Sequence, residues 1–327
     1  MKRLQVVGLV LAMSCNSVAG QQNAPTIEYS GICDASAGAA LTAEMFIVAG
    51  DEDNILRVYR RGEPNVAQAF PLDQFLKPDP DEPEADIEGA ARIDDLIYWT
   101  TSHGQNKNGK NRSSRHRLFA TAVAVKDDKV TIKPTGTAYT NLRVDLIGAP
   151  QLGKYNLKIA ATLAPEELGG FNIEGLAATP DGRLLLGFRN PITEGKALVV
   201  PIENPKEVVN GKRAEIGMPI EIALDGRGIR SIEFSPERNL YLVVAGPYDD
   251  AGSFALYAWS GQPKDVPVLV NEIDFGTLNV EGAFFAPNDK TRLHVISDDG
   301  GRKIGEKDCK KIDLNMQRFR ATSLTLP

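Results

Sequence analysis

The chain has 327 residues, of which 42% are hydrophobic and 24% charged, and its formal net charge is -6. This acidic balance argues against a general nucleic-acid-binding protein, because such proteins carry a basic surface. The length is enough for a large core and exceeds one typical domain, although a closed repeat fold can use it as a single unit.

The first twenty residues are typical of a secretory signal peptide. Lys2 and Arg3 precede an apolar run at 6–13, and the small residues at 17–19 suit cleavage. Lipid attachment at Cys15 is the alternative, which we favour less because the residues before it fit a lipoprotein motif poorly. No other stretch is long and apolar enough to cross a bilayer.

Removal of residues 1–20 leaves 35 basic and 43 acidic residues, a net charge of -8. We therefore expect a periplasmic or secreted protein in which residues 21–327 form one domain. Export places the two remaining cysteines, Cys33 and Cys309, in an oxidising compartment. We predict that they form a disulfide that closes a circular fold, the alternative being two unrelated thiols.

Five units follow one another along the chain, each made of short apolar runs separated by turn residues. The predicted strands include residues 45–49 and 55–59, then 90–93, 96–101 and 118–125, then 184–188 and 197–200, then 240–245 and 254–259, and finally 293–296. Regularly spaced short strands with turns such as Pro-Asp-Gly are typical of an all-β repeat fold.

Four of the units begin with one pattern, in which a glutamate follows a β-branched residue and usually precedes glycine. The copies are DIEGAA at 86–91, NIEGLA at 172–177, RSIEF at 230–234 and NVEGAF at 279–284. The first unit has GICDAS at 31–36 and lacks the glutamate. Spacings of 59 and 48 residues between the last three glutamates suit propeller blades.

The pattern predicts a single β-propeller of five blades. The first glutamate spacing, 86 residues, is too long for one blade, so we expect a partly helical insertion at about 141–168. Six blades is the alternative, if that stretch hides a degenerate blade.

In a propeller, the innermost strands line a central channel, and loops at one face carry the function. Each glutamate would enter an innermost strand near one end of the channel, and the end of the second strand would reach the same face. The residues that this register brings to the face, besides the glutamates, are Asp51, Asp53, His103, Arg189, Asp298 and Asp299.

Several segments together resemble the bacterial domain-of-unknown-function family 3616. They are EADIEGAAR at 84–92, SHG at 102–104, NIEGL at 172–176, GFRNP at 187–191, GIRSIE at 228–233 and SDDG at 297–300. The resemblance runs from about Gly31 to Arg320. It implies an exported or cytosolic β-propeller without an assigned reaction. The glutamate–glycine repeat is also similar, more distantly, to phytase-like esterase propellers.

The four glutamates Glu88, Glu174, Glu233 and Glu281 are the candidate metal ligands. Carboxylates held close together would bind a cation, pair with arginine or keep protons. Oxygen ligands favour Ca²⁺ or Mg²⁺. Alternatively, each glutamate accepts backbone N–H bonds from a neighbouring blade and locks the ring, or one of them works as a general acid or base.

Arg189 and Arg230 are candidates for binding an anionic group, because arginine from several blades around a pocket suits phosphate or carboxylate. His103 could act as a base or ligand, or be a hydrogen-bonded structural residue. We interpret the basic loop at 107–117 as solvated, with arginines that neutralise the glutamates; an anion site is the alternative.

Two functions remain open. One is a metal-assisted hydrolase of a phosphate or other small anionic ester, in which Arg189 or Arg230 stabilises developing charge. The other is a non-catalytic propeller that binds a small ligand or a protein. In either case we expect a monomer that binds no nucleic acid.

Overall fold

Short apolar strands pair in chain order into five antiparallel, four-stranded sheets, which form a five-bladed β-propeller. The computed structural model describes residues 24–249 and 251–327. The predicted signal peptide at 1–20 and the alternative lipidation site at Cys15 lie outside the described residues. The prediction of five blades is confirmed.

The strands of each blade run from the channel outwards in sequence order, apart from β1 (Ile27–Ser30) at the start. Blade 1 contains β2 (Ala35–Ala40), β3 (Met45–Gly50), β4 (Ile55–Arg60) and β5 (Gln68–Pro71). Blade 2 contains β6 (Ile87–Ile93), β7 (Leu96–Thr101), β8 (Leu118–Lys126) and β9 (Lys129–Tyr139). Blade 3 contains β10 (Asn172–Ala178), β11 (Leu184–Asn190), β12 (Lys196–Ile202) and β13 (Ile220–Ala223).

Blade 4 contains β14 (Gly228–Ser235), β15 (Leu240–Gly246), β16 (Ala255–Trp259) and β17 (Val268–Leu269). Blade 5 has β18 (Val280–Phe285) and β19 (Arg292–Ser297), followed by a loop with the hairpin β20 (Lys303–Ile304) and β21 (Lys307–Asp308), and then β22 (Arg318–Thr325). The helices α1 (Asp73–Leu76), α2 (Leu142–Gly148), α3 (Leu157–Ala160) and α4 (Pro205–Val208) are short.

The ring closes because the two ends of the chain share blade 5. Strand β1 pairs with β22 and becomes the outermost strand of that blade, with Ile27 opposite Ala321. The disulfide between Cys33 and Cys309 reinforces this closure, with the two Cα atoms 5.9 Å apart. The predicted disulfide is therefore confirmed, and it joins the start of blade 1 to the long loop of blade 5.

Five apolar clusters fill the five seams between neighbouring blades. Between blades 5 and 1, for example, Tyr29, Phe46, Tyr59 and Phe319 form an aromatic group with ring centroids 5.2–5.5 Å apart. Burial of these side chains in every seam holds the blades at fixed angles. The loops at the channel ends therefore stand on a rigid ring.

The predicted partly helical insertion is also confirmed. Helices α2 and α3 lie between blades 2 and 3, joined by a 3₁₀ segment at Pro150–Tyr155. Leu142, Leu146 and Leu157 are buried in the cluster that fills this seam. The insertion therefore thickens the seam and adds no sixth blade. Among the described residues, no helix is long and apolar enough to span a membrane.

Candidate functional site at the channel mouth

Every innermost strand carries a β-bulge near its start, and the bulges fix which side chain meets the channel. The register shift lies at Ser36 in β2, Glu88 in β6, Glu174 in β10 and Glu281 in β18. In β14 the shift lies at Arg230. Because a bulge turns the extra residue out of the ladder, it can re-aim that side chain. The five equivalent positions thus hold one serine, three glutamates and one arginine.

The predicted repeat register is therefore wrong in blade 4. Strand β14 contains two isoleucine–polar pairs, Ile229-Arg230 and Ile232-Glu233, and the acid in the second pair led to the wrong alignment. Glu233 lies instead in a separate cavity of about 450 Å³, lined by the far ends of the innermost strands. There the Phe285 N–H donates a weak 3.5 Å hydrogen bond to it, and burial raises the pKa of Glu233 to about 8.

The starts of the innermost strands and the loops after the second strands surround a polar pocket of about 1040 Å³. It brings together most of the predicted site residues. Those lining the pocket are Asp51, Glu88, Glu174, Arg189, Arg230, Glu281, Asp298 and Asp299. Of the predicted residues, Asp53, His103 and Glu233 are not part of this lining.

A buried ion-pair network crosses the floor of the pocket. Glu174 accepts a hydrogen bond from Arg189 Nη1 at 3.0 Å, and its Oε2 forms an ion pair with Arg230 Nε, 2.9 Å away. Arg230 also pairs with Glu281, and Asn172 Nδ2 donates to Glu174 at 2.9 Å. Burial alone would lower the pKa of Arg189, but the charges of Glu174 and Glu281 raise it overall. The network therefore holds both arginines charged and in fixed orientations.

Glu88 is the bulge glutamate that forms no ion pair with the described residues, unlike Glu174 and Glu281. It is 7% exposed, and its Oε2 has no hydrogen-bond partner among the described residues. Burial raises the pKa of Glu88 well above its ordinary value, and the nearby charges of Asp86 and Glu174 raise it further. An uncompensated buried carboxylate is costly. Glu88 is thus suited either to bind a cation or to hold a proton at the pocket.

The basic loop neutralises acids at one side of the pocket. Arg115 Nη1 lies 3.0 Å from Asp86 Oδ2, and Arg115 also pairs with Glu84. Arg112 pairs with Glu82. This agrees with the interpretation of 107–117 as a neutralising loop, but its partners are not the four repeat glutamates, and Arg115 and Arg117 are largely buried rather than solvated. Asp86 was missed as a site residue, although it stands two residues before Glu88 in the repeat.

The two aspartates at the end of β19 have different partners. Asp299 is 2% exposed and pairs with Arg320 at 2.6 Å, and it also accepts the Arg320 N–H at 2.8 Å. Asp298 accepts the Gly300 N–H at 2.7 Å, and burial raises its pKa. Asp53 pairs at 2.5 Å with Arg57 of its own blade. Asp299 and Asp53 are therefore already ion-paired.

His103 lies behind the pocket and is fully buried. Its ring stacks on His116, with centroids 6.2 Å apart, and its ring nitrogens have no side-chain or backbone hydrogen bond in the described part of the chain. Burial lowers its pKa well below the ordinary value, and His116 and Arg143 lower it further. The side chain is therefore a neutral packing residue in this geometry.

Glu52 and Lys310 also line the pocket, and Asp34 lies beside Glu52; weak sequence signals exist for all three. Asp34 stands in the unit that lacks the glutamate, and Glu52 lies within the acidic loop 51–53. Lys310 follows Cys309, so the disulfide brings it to blade 1, where its Nζ lies 2.6 Å from Glu52. The expected Cys33–Cys309 disulfide, together with the acidic loop 51–53, was the sequence signal that could have identified these three residues.

Known structures with similar architecture are remote in sequence. Glutaminyl cyclase from Myxococcus xanthus is 10% identical, with 94% of this chain and 97% of that chain covered at a TM-score of 0.45. PhoX from Pseudomonas fluorescens in complex with vanadate is 10% identical, with 93% and 75% covered at 0.42. The β-propeller domain of Cps50 (Swd1) from Myceliophteria thermophila is 10% identical, with 93% and 100% covered at 0.41. These similarities are too low to transfer an activity.

No curated protein matches the sequence. A family model does match, over residues 34–131 and 138–278, which is well over half of the chain and covers most of blades 1 to 4. Together with the five-bladed architecture, this match shows that the chain belongs to the family described as protein of unknown function, DUF3616.

Proposed function

We propose that this protein is an exported, metal-assisted hydrolase that acts on a small anionic ester in the pocket at the channel mouth. The observation that carries the proposal is Glu88, a buried carboxylate with an unpartnered oxygen that faces a pocket lined by arginines. The pocket volume of about 1040 Å³ is at the upper end of the usual range for small-molecule sites.

Fixed arginines would bind the anionic part of the substrate. Arg230 is anchored by Glu174 and Glu281, and its guanidinium lies 5.4 Å from the Phe254 ring centroid. Arg189 is anchored by the same Glu174. Anchored guanidinium groups need little reorganisation when charge develops on the substrate, so they are effective electrostatic catalysts.

Glu88 would act beside them, either as a ligand of the cation or as the base that takes a proton from water. A Ca²⁺ or Mg²⁺ ion would supply Lewis-acid polarisation of the ester and would lower the pKa of a bound water. Glu174 and Glu281 would hold the arginines in place rather than bind the ion.

The second candidate is a non-catalytic propeller that binds a small ligand or protein. The same ion-pair network favours it, because Glu174 and Glu281 already neutralise Arg189 and Arg230. In this case, the glutamates of the repeat would serve to join blades 3, 4 and 5.

A substrate screen separates the two candidates. The purified mature protein is assayed against phosphate monoesters, phosphodiesters, carboxylic esters and lactones, with added Ca²⁺ or Mg²⁺ and with excess EDTA. The hydrolase proposal expects turnover of one ester class that EDTA abolishes and the metal restores. Absence of turnover across all classes, with a correctly folded protein, would contradict it and favour the binding propeller.

We also propose that residues 1–20 are a cleaved signal peptide and that residues 21–327 act as one monomeric domain. The Cys33–Cys309 disulfide supports an oxidising compartment such as the periplasm. Mass spectrometry of the protein recovered from the periplasm or medium of an expressing bacterium should give a chain that begins near residue 21. A full-length mass, or a lipid on Cys15, would contradict this proposal.

A further inference from the structure

Three carboxylates meet at the side of the pocket where the ring closes. Asp51 and Glu52 line the pocket, and Asp34 lies beside them. Asp34 lies just before β2, while Asp51 and Glu52 follow β3. Each offers one oxygen, and these oxygens all lie within 4.8 Å of one another. Asp34 also pairs through its backbone with Asp298 of blade 5. The cluster therefore sits at the junction of blades 1 and 5.

The buried members of this cluster lack partners. Asp34 is 4% exposed, and none of the residues at 24–249 or 251–327 donates a hydrogen bond to its carboxylate. Asp51 is only partly buried as a residue, but its Oδ1 is buried and has no partner among them. A side chain at Gly300 would overlap the Asp34 carboxylate, so the main chain of blade 5 packs directly against it. Native proteins seldom leave buried acids in this state unless a ligand completes them.

The cluster also has more negative charge than its surroundings neutralise. Lys310 is the nearby cation, and its Nζ bonds to the exposed Glu52, 2.6 Å away. The two aspartates behind Glu52 have no such contact.

We propose that Asp34, Asp51 and Glu52 bind a divalent cation at the end of blade 1 that lies against the disulfide-linked loop of blade 5. Three carboxylates and the absence of a softer ligand favour Ca²⁺, because Mg²⁺ usually takes only one or two carboxylates and keeps several waters. The inference rests on the proposed function in one respect, since it assigns the cation that hydrolysis requires.

Lys310 provides a second test of the proposed cation site. Its ammonium group is ion-paired with Glu52, one of the three predicted ligands, so it competes with the cation for that carboxylate. Removing the lysine charge should therefore strengthen cation binding. If the lysine were itself the intended partner of the cluster, its removal would instead leave a destabilised protein that binds no ion.

Isothermal titration calorimetry of the full mature protein with CaCl₂, and separately with MgCl₂, tests the inference. We expect one Ca²⁺ per chain, bound at least tenfold more tightly than Mg²⁺. Asp51→Asn and Glu52→Gln should each weaken Ca²⁺ binding at least tenfold, and Lys310→Gln should tighten it. Glu63→Gln, which changes an exposed acid of blade 1 outside the pocket, is the matched control and should bind as the wild type does.

The inference is overturned if the wild type binds no Ca²⁺ at millimolar concentration, or if Glu52→Gln and Asp51→Asn bind like the control. Glu52 is exposed, so its variant remains informative even if Asp51→Asn does not fold. Ca²⁺ binding with no ester turnover would leave the inference standing and refute the hydrolase. Turnover that EDTA abolishes and metal restores, with Ca²⁺ binding unchanged in Asp51→Asn and Glu52→Gln, would refute this cation site and leave the hydrolase standing.

Discussion

Replacing Glu174 with glutamine should destabilise the folded protein strongly, because one buried carboxylate compensates two buried arginines. Glu174 is 2% exposed, and its two oxygens lie 3.0 Å from Arg189 and 2.9 Å from Arg230. Glutamine keeps the shape but removes the charge. Loss of one partner from a buried ion pair costs about 3–5 kcal/mol.

The effect is large enough to measure as a melting temperature. An unfolding entropy of about 2.1 cal/mol/K per residue gives roughly 0.6 kcal/mol/K for a chain of this size, so a loss of about 4 kcal/mol lowers Tm by about 6 °C. Differential scanning calorimetry of the mature protein provides the measurement.

Glu203→Gln is the matched control for this prediction. Glu203 is in the same blade and also pairs with an arginine, Arg183 at 3.3 Å, but both side chains are more than a third exposed. An exposed pair of this kind contributes less than about 1 kcal/mol. If Glu174→Gln lowered Tm no more than Glu203→Gln, the reasoning that the network is a buried, mutually dependent unit would be refuted.

Three further predictions concern stability. Thiol titration of the unreduced, denatured mature protein should detect neither Cys33 nor Cys309. Reduction should lower the free energy of unfolding by about 5 kcal/mol in the chain-entropy model, because the two cysteines are 276 residues apart in the sequence. An unchanged urea midpoint after reduction would contradict this stabilisation by the disulfide. The raised pKa of Glu233, about 8 against 4.5, means that its contribution is complete below pH 4.5 and is lost as the pH rises through 8. Glu233→Gln should therefore be more stable than the wild type at pH 9 and as stable as the wild type at pH 4. If the variant and the wild type lost the same stability between pH 4 and pH 9, the raised pKa of Glu233 would be disproved. Burial, with Arg143 and Arg117, lowers the pKa of His116 to about 4, so its contribution is present above pH 6.5 and is lost as the pH falls towards 4. His116→Asn should reduce the acid sensitivity of unfolding between pH 6.5 and 4, and an unaltered pH profile would argue against a buried neutral ring.

The fold could be predicted from the sequence because each blade repeats the same local signals. Apolar runs and turns such as Pro180-Asp181-Gly182 define the strands without knowledge of their partners. The two cysteines near the chain ends indicated the closure. The insertion at 141–168 was recognisable because it broke the strand pattern.

The site was harder to predict, because it depends on register and on contacts between distant segments. A bulge shifts the register by one residue, so the equivalence of Arg230 with Glu88 and Glu174 could not be read from a motif that requires an acid. His103 stands where a channel residue was expected, but its ring is buried against His116 and does not line the pocket. Asp34 and Lys310 are 276 residues apart, and only the closed ring brings them together.

The rate of ester hydrolysis by Glu88→Gln and by the wild type, each measured with and without EDTA, decides whether the channel mouth is a hydrolytic site. We expect Glu88→Gln to lose at least a hundredfold in kcat, as for loss of a general base or metal ligand, while its melting temperature stays close to that of the wild type. EDTA should reduce the wild type to a similar level. Turnover by Glu88→Gln at the wild-type rate would contradict the assignment of the channel mouth as a hydrolytic site built around Glu88.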